Sequence, residues 1–270
     1  MGRARDAVRH ARRVASPAAS RLRRELQWRR ARVGRLLVGD GRAQPCRVAE
    51  HATPLFRPLA GLDEELQRGK VVNLRLAAAR LDGLVLPPGA VFSFWRHVGR
   101  PSRSRGFVDG LVLDHGSLSA GVGGGMCQLT NLLYWMTLHT PLEVTERWRH
   151  SYDVFPDAGR TQPFGSGATC SWPTLDLQVS NPTAATFRLE VGVTDTHLEG
   201  RWTSDRPVGL RYEVYEAAHV MEPTVTGAFV RRNVLRRRVF DLDGAQVADE
   251  PVAENHALMR YRPFLPSGGA

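Results

Sequence analysis

The spacing of hydrophobic positions changes along the chain, and the changes mark out its elements. Over residues 1–38, Leu22, Leu26, Val33 and Leu37 recur at intervals of four and seven among many arginines, which reads as a basic helix. Gly39-Asp40-Gly41 punctuates a boundary. Residues 62–82 predict a second helix, with Leu66, Val72, Leu74, Leu76 and Leu81 as its apolar positions and Gly83 as its stop. Pro87-Pro88-Gly89 is a turn, and Ala90 to Trp95 reads as a short strand or edge. Phe107-Val108 and Leu111-Val112-Leu113 predict a strand or hairpin pair. The Gly-rich run 121–125 then feeds an apolar segment, 126–138, that meets no Gly or Pro before Pro141. That pattern is a flexible turn leading into a helix.

Beyond that helix the period shortens. Leu142, Val144 and Trp148 suggest a half-buried strand ending at His150. Cys170 to Trp172, Leu175 to Val179, Thr186 to Val191, Tyr212 to Tyr215 and Val230 to Val239 are strand-like. From Pro251 onward a Pro/Gly-ended tail is expected to fray. Helices first and strands after predict an α+β fold, with a Gly-rich loop and a Cys-bearing helix packed on a mostly antiparallel sheet. The expected organisation is a basic helical or disordered extension over 1–40, one domain over 41–255 and a flexible tail over 256–270.

Composition refines this picture. The chain has 270 residues, 42% hydrophobic and 24% charged, which is ordinary for a protein with a real core. Its net charge of +10 suggests nucleic acid until the charges are located. Of 37 basic and 27 acidic residues, twelve and two lie within 1–39, leaving 25 of each beyond it. The body is neutral, so no nucleic-acid partner is expected. The basic segment suits an anionic membrane surface, or is simply a solvated arginine-rich extension. No signal-peptide core and no membrane-spanning apolar stretch is visible, which predicts a cytoplasmic protein or one peripheral to the inner face of the membrane. Cys46, Cys127 and Cys170 form no C-x-x-C pair, and the nine histidines form no metal-ligand pattern, so no metal or other cofactor is expected.

The candidate chemistry sits at the Gly-rich loop. Cys127 falls in the first turn of its helix, where unpaired N–H groups and the helix dipole favour a thiolate. The same N–H groups suit an oxyanion. The bland alternative is a small apolar filler, since free cysteine is commonly buried. His150, on the following strand, is the candidate base, in the manner of papain-like and transglutaminase-like thiol enzymes.

Several motifs resemble the VanW family, named for an accessory gene product of vancomycin-resistance clusters. They are Leu86-Pro-Pro-Gly-Ala-Val-Phe-Ser-Phe-Trp95, Gly123-Gly-Gly-Met-Cys-Gln-Leu129, Glu146-Arg-Trp-Arg-His-Ser151, Phe155-Pro-Asp157, Arg160-Thr-Gln-Pro-Phe-Gly-Ser-Gly-Ala-Thr169 and Asp176-Leu177. The resemblance runs from about residue 46 to 250 and leaves the basic segment outside. Some VanW-domain proteins have been proposed as cysteine L,D-transpeptidases acting on peptidoglycan peptides, which implies Cys127 as nucleophile and a peptidoglycan stem peptide or precursor as partner. Many members carry Asp-Ala where this chain has Gly167-Ala168, so an acidic residue at that point is not available here to orient His150.

The expected roles follow. Cys127 accepts the acyl group, His150 moves the proton, and Asp157 or Asp153 fixes the imidazole. Gly124, Gly125 and Gln128 line the oxyanion site, and Arg147 and Arg160 bind substrate carboxylates or pair with neighbouring acids. Two other readings stand beside this one. One is a non-catalytic module that grips a peptide or glycan with the same loop. The other is a membrane-surface adaptor in which the basic helix matters most.

Overall fold

The computed structural model describes residues 16–40, 44–56, 63–114, 117–154 and 161–261. In chain order its elements are α1 (Pro17–Arg30), β1 (Cys46–Pro54), α2 (Glu64–Ala78), β2 (Val85–Leu86), β3 (Val91–Ser93), α3 (Phe94–Val98), β4 (Asp109–Asp114) and β5 (Ser117–Val122). Then come α4 (Met126–Leu138), β6 (Glu143–Glu146), β7 (Tyr152–Asp153), β8 (Gln178–Ser180), β9 (Phe187–Val193), β10 (His197–Ser204), β11 (Arg211–Pro223), β12 (Phe229–Phe240) and β13 (Gln246–Met259). The fold is α+β and its sheets are mostly antiparallel.

One four-stranded sheet, in the order β1-β10-β9-β2, carries the core. On β9 the alternation is strict: Phe187, Leu189 and Val191 point inward, and Leu189 faces Trp202 of β10. α4 lies against this sheet through Leu132 and Met136, and the Trp202 indole donates to Thr137 Oγ1 at 3.2 Å. α2 packs beside it through Leu74, Ala77 and Ala78. Asp63 caps α2 by accepting from Glu65 N at 2.8 Å. The three-stranded sheet β3-β8-β6 and the hairpin β4-β5 complete this layer.

The second four-stranded sheet, β11-β12-β13-β7, extends past the expected end of the domain. The tail expected from Pro251, and the flexible segment expected from residue 256, are corrected as far as Met259 by β13. Pro251 is accommodated because the β12–β13 register shifts between Leu235 and Arg236, and proline is tolerated at such irregularities. Residues 262–270 lie outside those described.

The basic N-terminal segment is helical over Pro17–Arg30, but it is docked on the domain instead of extending from it, with Leu22 and Leu26 on its outward face. Arg24 and Trp28 are buried, whereas Leu22 is 63% and Leu26 45% exposed. The Arg24 guanidinium donates to both Glu146 carboxylate oxygens at 2.6 and 2.9 Å and to the carbonyls of Pro173 and Thr174 at 2.7 and 2.5 Å. Trp28 Nε1 donates to buried Asp176 at 3.0 Å, and Arg96 pairs with Glu25 at 3.0 Å. A buried arginine is unusual, and here the acceptors of its four hydrogen bonds come from β6 and from the 173–174 turn.

Candidate functional site

The loop before α4 is held by its own backbone and by α2. Buried Asn73 donates to the carbonyls of Gly124 and Val108, both at 3.0 Å, and accepts from Val108 N at 2.9 Å. Gly124 crosses Gly110 so closely that a Cβ there would sit 2.2–2.3 Å from that residue's carbonyl carbon and oxygen. Gly125 is the N-cap of α4 with φ 99°, a left-handed conformation suited to glycine. Cys127 therefore follows the cap by two residues, in the first helical turn.

The second turn of α4 brings the other half of the site alongside. Thr130 Oγ1 donates to the Ala168 carbonyl at 2.6 Å, and Asn131 Oδ1 accepts from Ala168 N at 2.7 Å. With both backbone groups of Ala168 fixed, the next side chain, Thr169, faces the thiol: Cys127 Sγ and Thr169 Oγ1 are 3.3 Å apart. Thr169 N donates to Trp148 O at 2.9 Å, which ties this segment to the chain leading into His150. The Thr169 hydroxyl lies 3.1 Å from His150 Nε2. A thiol, a hydroxyl and an imidazole thus form one hydrogen-bonded line.

Electrostatics favour the thiolate. The Cys170 thiol hydrogen-bonds to Cys127 and, with His150 and Thr169, holds the Cys127 thiol well below its ordinary range, against burial that raises it. Burial, and then the bond to Cys127, push the Cys170 thiol well above its ordinary range.

Other expected site residues are engaged elsewhere. Gln128 spends both amide protons on Thr53 Oγ1 and Pro54 O, each at 2.9 Å, so its side chain is a brace to β1 instead of an oxyanion donor. Gly124 N donates to Gly121 O and Gln128 N to Gly125 O, each at 2.9 Å, so neither of these amides is free for an oxyanion. Arg147 is directed inward: it donates to the carbonyls of Gly165 (2.5 Å) and Gly167 (2.9 and 2.8 Å) and to Asn255 Oδ1 (3.1 and 3.2 Å), and lies over the Tyr134 ring. It is a clamp on the segment before Thr169, not a carboxylate receptor. Asp153 accepts from Arg231 Nη1 at 3.2 Å and from the Tyr261 hydroxyl at 2.8 Å, because β7 pairs with β13 and turns it toward β12. Asp157 and Arg160 lie outside the described residues.

Thr169 and Cys170 were not singled out as site residues from the sequence. Their only signal was that Thr169 ends the Gly-Ser-Gly-Ala-Thr motif and Cys170 follows it, because the contacts that place them are made by Thr130 and Asn131, about forty positions away.

A cysteine at a helix N-terminus, joined through a hydroxyl to an imidazole on a facing segment, defines an α+β protein with a thiol-centred site. The family model described as VanW like protein matches residues 69–203, half of the sequence, and the chain belongs to that family. It is 37% identical over 170 residues to the vancomycin B-type resistance protein VanW of Enterococcus faecalis, covering 63% of this chain and 62% of that protein. It is 33% identical over 109 residues to the uncharacterized protein YoaR of Bacillus subtilis, covering 40% of this chain and 34% of YoaR. The chain thus spans about three fifths and one third of the lengths of these relatives. No solved structure matches it. Cys127, Thr169 and His150 all fall within the matched region, whereas α1 precedes it.

Proposed function

We propose that this chain is a cysteine acyltransferase of cell-wall metabolism, acting on peptidoglycan stem peptides in the setting of glycopeptide resistance. The observation that carries the reading is the line from Cys127 through Thr169 to His150, with the thiol held toward its ionised form. The thiolate attacks a peptide carbonyl, and first-turn N–H groups of α4 receive the oxyanion. His150 passes a proton to the leaving amine, and a second amine, deprotonated by the same imidazole, displaces the thiol. Thr169 takes the position between thiol and base. The glycopeptide-resistance setting comes from the name of the Enterococcus relative.

The test is intact-protein mass spectrometry after incubation with cell-wall stem peptides, together with the rate of Cys127 alkylation against pH. An acyl adduct on Cys127, absent in Cys127→Ala, is expected. The alkylation rate should stay high well below the usual thiol pKa of about 8.5, falling only through the depressed value, and His150→Ala should move that fall upward. No adduct, with a thiol that reacts only on unfolding, would return the site to a non-catalytic peptide- or glycan-binding module.

A specific observation also favours attachment to an anionic membrane surface. Exposed Leu22 and Leu26 share the outward face of α1 with exposed Arg23, Arg29 and Arg30, and Leu37 and Val38 beyond the helix are 80% and 64% exposed. Among the described residues no helix is long and apolar enough to cross a membrane. Flotation with vesicles containing phosphatidylglycerol should carry the protein upward, and Leu22→Glu with Leu26→Glu should release it. Equal flotation with purely zwitterionic vesicles would sink this reading.

A further inference from the structure

Acyl transfer at Cys127 leaves a second thiol at the same place without a task. The turn of α4 that bears Cys127 packs against the Thr169–Cys170 segment. Cys127 Sγ is 3.3 Å from Thr169 Oγ1 and 3.8 Å from the Cys170 carbonyl oxygen. Both cysteines are free thiols. The third, Cys46, opens β1 opposite Ser204 and is not among the groups around Cys127.

We propose that Cys127 and Cys170 are a peroxide-reactive dithiol that closes to a disulfide, a modification site distinct from acyl transfer and not dependent on it. The contrast between the two sulfurs sets the direction. Cys127, held toward thiolate by its neighbours, is the attacking sulfur, and Cys170, kept protonated by burial and by its bond to Cys127, is the resolving one. The Cys127 thiolate attacks one oxygen of hydrogen peroxide. The O–O bond breaks, the second oxygen leaves as hydroxide and is protonated to water, and Cys127 becomes a sulfenic acid. The Cys170 sulfur then attacks the sulfenic sulfur. The S–O bond breaks as the S–S bond forms, and the departing hydroxide takes the Cys170 proton as a second water. Two electrons pass from the thiol pair to the peroxide, and the disulfide caps the nucleophile until a dithiol reductant reopens it.

The reduced full chain, exposed to a few equivalents of hydrogen peroxide and then alkylated, tests this by peptide mass spectrometry. A cross-linked Cys127–Cys170 peptide is expected, with Cys46 still alkylated and both linked thiols recovered by dithiothreitol. In Cys170→Ser or Cys170→Ala, Cys127 should instead accumulate as sulfenic acid trapped by dimedone, passing to sulfinic acid with more peroxide. Direct over-oxidation of Cys127 in the unaltered chain, a disulfide through Cys46, or both thiols remaining alkylatable would each overturn the proposal.

Discussion

Replacing Arg24 with methionine tests whether α1 is structural. The substitution keeps an apolar stem of similar reach and removes four hydrogen bonds, two to Glu146 and one each to the carbonyls of Pro173 and Thr174. Breaking a buried ion pair from one side costs about 3–5 kcal/mol, because the other charge is left in place. Glu146 would not be left bare: it still accepts from Trp148 Nε1 at 2.8 Å, Asp176 N at 3.1 Å and Gln178 Nε2 at 2.7 Å, and its side chain is 20% exposed. Those partners place the loss near the lower end, about 3 kcal/mol. For a chain of this size that corresponds to a fall in melting temperature of roughly 6–12 °C. Thermal and urea unfolding of Arg24→Met should be compared with Arg23→Met, which alters an exposed neighbour on the same helix. If the two variants unfold within about 0.5 kcal/mol of each other, the spread normal for surface changes, α1 does not hold the domain as its contacts indicate.

Thr169→Val keeps the shape of the side chain and removes the hydroxyl between thiol and imidazole. Alkylation of Cys127 at neutral pH should slow, and the midpoint of its pH profile should rise, since the thiolate loses one hydrogen bond; an unchanged midpoint would remove Thr169 from the site. Gly124→Ala places a methyl against backbone that cannot give way, so it should cost at least about 1–3 kcal/mol and disorder the start of α4, visible as faster hydrogen exchange at residues 124–128. Wild-type exchange there would contradict the close approach to Gly110.

Much of the fold was legible because its core elements repeat a clear period. The apolar run of α4 and the alternation on β9 depend only on local spacing, whereas α2, although a helix as expected, leaves Val72 exposed and buries Gln67, Val71 and Asn73 beside Leu74. β1 was not anticipated because its half-buried positions after Ala49 are the polar His51 and Thr53, so its burial alternates while its hydrophobicity does not. β13 was missed because Pro251 looks like a terminus when the compensating irregularity belongs to its pairing with β12. α1 was legible as a basic helix, but its docking was not, since only long-range partners make Arg24 the inward residue. The same limit governs the site. Cys127 at a helix start could be read locally, but the roles of Gln128 and Arg147 turn on which carbonyls lie within reach, and those come from β1 and from residues 165–167.

The docking of α1 bears on how the protein is to be trimmed or fused. A fragment cut to the family match at residue 69 would lose Arg24 and Trp28 and expose Glu146 and Asp176, two acids that the helix now covers. It would also release the 173–174 turn, three residues from the second thiol. Silence from such a fragment in an activity screen would report on a damaged molecule, and a tag is better joined ahead of Pro17 than in place of the helix.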